Sequence, residues 1–212
     1  MLLRNLCAGL MVLVGAHAWA ADVALVMSVQ GKVMRHDGAN TVPLEAFIKL
    51  GEGDRLSLEK DAQLRVAYFE NGRHETWTGP GGLELASRGG QPLGMTAPEV
   101  KALPLPVARQ LARTPATDRE GRKAPARTRA VQAPDAMARL EATYQELRSR
   151  AGSDDLEPET YLLSGLFELR ELDRVEKLLG ELKQDRPKNV EAALLISLYR
   201  KAVKNAREAR QY

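Results

Sequence analysis

The chain has 212 residues, 44% of them hydrophobic and 28% charged, and its 31 Lys+Arg against 28 Asp+Glu leave a formal net charge of +3. Such values belong to an ordinary folded chain, and they exclude a disordered polyelectrolyte, a collagen-like repeat and a strongly basic nucleic-acid binder. The single cysteine, Cys7, rules out an intramolecular disulfide.

Arg4 is followed by the apolar run LCAGLMVLVGA and then HAWAAD, in which Ala18 and Ala20 stand at small-x-small spacing. This is the pattern of a secretory signal peptide over residues 1–21, cut after Ala20 or Ala21. The run is too short for a permanent membrane span, and no later stretch approaches about 18 uninterrupted apolar residues. An exported protein is expected, with an anchor formed by an uncut leader as the alternative. Cys7 lies near the start of the apolar run, whereas a lipidated cysteine stands at its end. Removal of the leader takes Arg4 and Cys7 with it, which leaves a net charge near +2 and no thiol for catalysis or metal binding.

Residues 22–97 read as strands. VALVMSVQGKVMRHDG, TVPL, GEGDRLSL and DAQLRVAYFE follow one another at short intervals, each bounded by Gly, Asp or Pro. In the last of these, Leu64, Val66 and Tyr68 alternate with Gln63, Arg65 and Ala67, the period of a half-buried strand. Asn71-Gly72 suits a two-residue type I′ hairpin turn, beyond which Trp77 is expected in the core. Arg73, His74 and Glu75 beside that turn are expected to be exposed, and they are the candidate interaction residues. Several short strands with turns every 8 to 12 residues indicate an all-β sandwich or barrel-like unit.

Residues 98–134 hold six of the eleven prolines and eight basic residues against three acidic ones. That composition predicts a largely disordered linker, with a short helix over VARQLAR as the one local exception. From Asp135 the period becomes helical. Helices are expected over 135–150, 157–170, 173–185 and 190–207, with Asp173 and Asn189 as N-caps and Pro187 as a stop. The fold class is therefore α+β in separate domains: an N-terminal all-β unit at 22–97, a proline-rich linker at 98–134, and an antiparallel helical unit at 135–212.

Two family resemblances follow from these patterns. VQGKV at 29–33, Leu50 and Gly51, Gly53 and Asp54 followed by RLSL, AQLRVAYFENG at 62–72 and TWTGPGGLEL at 76–85 together resemble the FecR-like domain, a periplasmic all-β module. Regulators of that family relay a signal from an outer-membrane siderophore receptor to a sigma factor through a cytoplasmic segment and a membrane span. A leader directly before the module departs from that layout, so the sigma-factor role is not carried over. LLSGLFELRELDRVEKLLGELKQDRPKN at 162–189 resembles a tetratricopeptide repeat, with Leu162, Leu166, Val175, Leu179, Leu182 and Pro187 at its packing positions. Leu163 and Val175 occupy places where that repeat carries small residues, so the region is tetratricopeptide-like.

Catalytic patterns are not found. His36 and His74 are far apart without HExxH spacing, GxSxG is absent, and the glycines of TGPGG and RGGQPLG lack the Gly-Lys-Ser/Thr ending of a phosphate loop. Asp54 and Asp61 read as turn residues. No catalytic residue, cofactor or metal is expected, nor a nucleic acid or small-molecule substrate. The expected function is a non-enzymatic interaction or scaffolding module of the bacterial cell envelope with a protein partner. Adhesion to peptidoglycan or anionic lipid, and an accessory role in FecR-type envelope signalling, are the alternatives.

Overall fold

The computed structural model describes residues 21–38, 40–115 and 135–209, so the expected leader and residues 116–134 lie outside the described residues. Ten strands come first: β1 (Asp22–Gln30), β2 (Val33–Asp37), β3 (Asn40–Pro43), β4 (Lys49–Gly51), β5 (Arg55–Leu58), β6 (Gln63–Tyr68), β7 (Arg73–Thr78), β8 (Gly81–Ala86), β9 (Gly89–Leu93) and β10 (Glu99–Ala102). Five helices follow: α1 (Leu105–Leu111), α2 (Ala136–Arg150), α3 (Glu157–Glu168), α4 (Leu172–Asp185) and α5 (Val190–Glu208). Among the described residues, no helix is long and apolar enough to cross a membrane.

The strands form two antiparallel five-stranded sheets, ordered β10-β7-β6-β1-β4 and β3-β2-β5-β8-β9. Between them lies one core. Ala24, Val26, Leu64, Val66, Tyr68 and Trp77 of the first sheet meet Val33, Leu56, Leu58, Leu83 and Leu85 of the second. The alternation in β6 predicts this face correctly. It fails at Ala67, which is as fully buried as its neighbours because the opposite face of the first sheet is covered too. Leu25, Met27 and Ala67 on that side share a second core with Val107, Leu111, Leu140, Leu163 and Leu195 from the helices. The five consecutive buried residues Ala24–Ser28 are the mark of a strand covered on both faces.

The all-β region and the helical region are present as expected, but they are not separate bodies. The stretch from residue 98, expected as linker, begins with β10, which adds to the free edge of β7 with Lys101 opposite His74. It continues as α1, whose Val107, Ala108 and Leu111 are buried. The prolines that suggested disorder occupy positions where a missing N–H is harmless: Pro104 precedes the first turn of α1 and Pro106 lies within it. The side chain of Gln110 then bonds Ser164 Oγ at 3.1 Å, and Ser164 Oγ donates to the Gln110 carbonyl at 2.8 Å, fastening α1 to α3.

The 68–85 stretch also differs in detail. Phe69–Gly72 connect β6 to β7, and of the expected turn pair Asn71-Gly72 only Gly72 has a positive φ, 68°, so the turn is not type I′. Its geometry is set by a crossing chain. Leu103 N–H donates to the Gly72 carbonyl at 2.7 Å, and a side chain at Gly72 would collide with the Leu103 carbonyl. Asn71 closes the turn, with Oδ1 accepting from Arg73 N–H at 3.0 Å and Nδ2 donating to the Arg88 carbonyl at 2.8 Å. In the helical region Asn189 caps α5 by accepting from Ala192 N–H, as expected. Asp173 instead lies in the first turn of α4, two residues inside the N-cap Glu171.

Two predictions follow from this layering. A fragment of residues 22–97 lacks α1 to α5 and exposes Leu25, Met27, Phe47 and Ala67, each large side chain costing about 1.5–3 kcal/mol. It is expected to bind a hydrophobic dye and to melt without a cooperative transition, whereas residues 22–209 unfold in one step by circular dichroism. The second concerns Arg35 on β2, which is 8% exposed and whose Nη1 is buried without a hydrogen-bond partner. An unpaired buried guanidinium is costly, so Arg35→Met is expected to raise stability by on the order of 1 kcal/mol, read as a higher urea midpoint at unchanged slope.

Candidate functional site

Among the described residues, an assembly of ionisable side chains lies where the first sheet meets the helices. β6 contributes Arg65 and β7 contributes His74, both from the helical side of the sheet. The helices answer with the segment SDDLEPE. Asp155 stands in the α2–α3 connection, and its Oδ1 accepts the Glu157 N–H at 3.1 Å, which supports the start of α3. Pro158 fits the first turn, and Glu157 and Glu159 put negative charge at the positive end of the helix.

The pairs are specific. Arg65 Nη1 lies 3.1 Å from Asp155 Oδ2, and His74 Nδ1 lies 3.0 Å from Glu157 Oε2. Arg148, at the end of α2, donates through Nη1 to both Glu159 oxygens at 3.1 Å and to the Asp155 carbonyl at 2.8 Å. Arg186, just after α4, reaches the Asp155 carbonyl at 3.2 Å and lies 3.7 Å from Glu159 Oε2. Three guanidinium groups thus face three carboxylates, with the imidazole of His74 as the seventh member. Burial alone would push the Asp155 carboxyl up, but the Arg65 guanidinium and the Glu157 N–H outweigh it and hold it below the usual carboxylate range. Burial, reinforced by the Glu159 carboxylate, pushes the nearby Tyr144 hydroxyl up. A separate tie runs from Val29 N–H of β1 to Glu191 Oε1 of α5 at 3.0 Å.

The candidate residues beside the turn are therefore not an exposed patch. His74 and Glu75 are buried, 6% and 0% exposed, because the helices cover one face of β7 and the second sheet the other, while β10 pairs with its edge. The period of two splits them. His74 enters the junction, whereas Glu75 points between the sheets, where Oε2 accepts from Trp77 Nε1 at 2.9 Å and Gly90 N–H at 3.0 Å. Arg73, the most exposed of the three, pairs with Glu75. Burial, together with the Glu75 charge, pushes the Tyr68 hydroxyl up. Gly90 is required here, since a Cβ would run into the Trp77 ring.

His36 lies on the second sheet, bonded to Ser57 Oγ at 2.8 Å and Thr41 Oγ1 at 3.1 Å, so the structure does not bring the two histidines together. Asp54 serves a turn, accepting Gly51 N–H at 2.8 Å. Among the described residues no group of three or more His, Cys, Asp or Glu could hold a metal ion. Sequence reasoning missed Arg65, Arg148, Asp155, Glu157, Glu159 and Arg186 as a set. The available signal was the acidic segment SDDLEPE at 153–159, which falls at the gap between the helices expected over 135–150 and 157–170 and at the start of the second.

Chemically, the junction holds and orients. Asp155 and Glu159 are engaged by guanidinium groups and Glu157 by the His74 imidazole, whose Nε2 is enclosed without a hydrogen-bond partner. No family model, no curated protein and no solved structure matches the chain.

The junction should leave a signature in acid. Because the folded-state pKa of Asp155 is the lower one, its stabilisation is full above the ordinary carboxylate pKa of about 4 and is lost as pH falls through the folded value. Asp155→Asn is expected to lower the unfolding free energy by roughly 1–3 kcal/mol near neutrality. The gap from wild type should narrow as pH falls below the ordinary carboxylate pKa of about 4, as measured by urea midpoints across the acid range.

Proposed function

We propose that this chain is a non-catalytic interaction module of the bacterial cell envelope, in which a FecR-like sandwich and a tetratricopeptide-like helical unit act as one piece. One observation carries the reading. The side chains best suited to chemistry, His74, Glu75, Asp155, Glu157 and Glu159, are all engaged in internal contacts. The features left for the outside are those of a binding surface. β3 and β10 are exposed along their whole length, and the outer face of α5 is polar and charged. Exposed strand edges accept an added strand, and helix faces accept a helix, without any catalytic group. Location in the envelope rests on the leader pattern at residues 1–21 and on the FecR-like resemblance.

The test is cross-linking in intact cells with the full chain carrying an affinity tag, using reagents of several lengths. A reproducible adduct with one other envelope protein, identified by mass spectrometry, is the expected result. Recovery of the chain alone at every reagent length would overturn the proposal.

A further inference from the structure

We infer that the open edge of β10 is an interface between two copies of this chain, paired as antiparallel strands across a twofold axis. This self-association goes beyond the interaction reading above and does not depend on it. The outermost strands of the two sheets are β10 and β4, and β3 and β9. Three of them are blunted against an added strand. In β3 the Leu44 N–H donates to the Val33 carbonyl at 2.8 Å, which turns Leu44 and Val42 toward β2 and leaves Pro43, without an N–H, on the open side. β9 carries Pro92, and β4 is only three residues long. β10 contains no proline and is exposed at every position.

The pairing with β7 fixes which groups of β10 are free. Leu103 N–H donates to the Gly72 carbonyl at the position that continues the register of Lys101 opposite His74. Residues turned to the neighbouring strand alternate in an antiparallel ladder, so the backbone groups of Glu99, Lys101 and Leu103 face β7 and those of Val100 and Ala102 face outward. The side chains of Glu99 and Lys101 share one face of the strand, 3.6 Å apart and both largely exposed, a pairing worth little by itself. Val100 stands on the other face and is 44% exposed. Leu93 of β9 and Leu105 of α1 are exposed as well, and β9 lies on the same side of the sandwich, with Gly90 against the Trp77 ring.

The charges select both the partner and the register. With Val100 opposite Val100 of a second copy, each Glu99 stands directly opposite Lys101 of the other copy, and each Ala102 N–H meets a Pro98 carbonyl of the other. The two neighbouring registers that keep outward groups opposed place Lys101 against Lys101 or Glu99 against Glu99, and like charges directly opposite destabilise a strand pair. Opposite charges on either side of an outward-facing residue thus make this edge complementary to itself, as a twofold interface requires. Pairing joins the two first sheets into one continuous sheet and covers both Val100 side chains.

The test is sedimentation velocity on the full chain from about 1 to 100 µM, a range that brackets weak protein interfaces. A concentration-dependent dimer is expected. Glu99→Lys and Lys101→Glu should each weaken it at least about tenfold. An equimolar mixture of those two variants should dimerise as the wild-type chain does, because every opposition between the copies is again one of unlike charges. Val100→Pro, which removes an outward N–H and no bond within the chain, should leave a monomer with an unchanged circular dichroism spectrum. Should that variant fail to fold, the charge variants, at exposed positions, decide the matter. A wild-type chain that stays monomeric, a dimer indifferent to both charge variants, or a mixture no tighter than either variant alone would overturn the inference. A monomer whose in-cell adduct with another envelope protein disappears in Val100→Pro would overturn it in favour of a strand added by that protein. Absence of the dimer leaves the interaction reading standing, since that reading falls only with the in-cell adduct.

Discussion

The structure depends on the burial of one sheet from both sides. β1 is an interior strand of that sheet, and it has no face left for water: Ala24 and Val26 go to the sandwich core, while Leu25 and Met27 go to the helices. A sheet with two apolar faces needs two covering layers. The second sheet supplies one, and α1 with the helices that follow supplies the other. Once this is required, the path of residues 99–111 is constrained as well, because the chain must leave the sandwich along the edge of β7 to place α1 against β6.

Apolar contact alone does not fix how the helices sit on the sheet. Hydrophobic burial is non-directional, whereas ion pairs and hydrogen bonds have a required geometry. Arg65, His74 and the Val29 N–H each find one carboxylate, in the α2–α3 connection, at the start of α3 and in the first turn of α5, and together they set the register between the layers. Enclosed ion pairs of this kind contribute little net stability, because desolvation cancels much of the attraction. They penalise misplacement heavily, since a shifted helix leaves carboxylates facing no cation.

Much of this was legible in the sequence, and the illegible part has a common cause. The strands, the core role of Trp77, the helix boundaries and the Asn189 cap all follow from local rules of period and capping, and those rules act within about ten residues. The errors at Ala67, His74, Glu75 and residues 99–104 arise where a distant segment covers a surface, whereas the short helix expected over VARQLAR is present as α1. Ala67 was read as facing solvent because period-two alternation reports one buried face and is silent on a second. Pro104 and Pro106 were read as linker because proline composition does not reveal whether its ring sits at a helix start. The carboxylates of the junction carry no periodic signature at all. Their partners are 83 to 90 residues away for the pairs with His74 and Arg65, a separation no local pattern spans.

The bond from Val29 N–H to Glu191 closes a loop of 162 residues, and its meaning is temporal. A chain made from its N-terminus produces β1 first and α5 last, yet each completes the surroundings of the other. The sandwich cannot settle as an early, self-sufficient nucleus while synthesis continues, since the outer half of its central sheet waits for helices not yet made. Closure of such distant contacts is entropically slow, so the last contact between the layers waits on the two most separated elements.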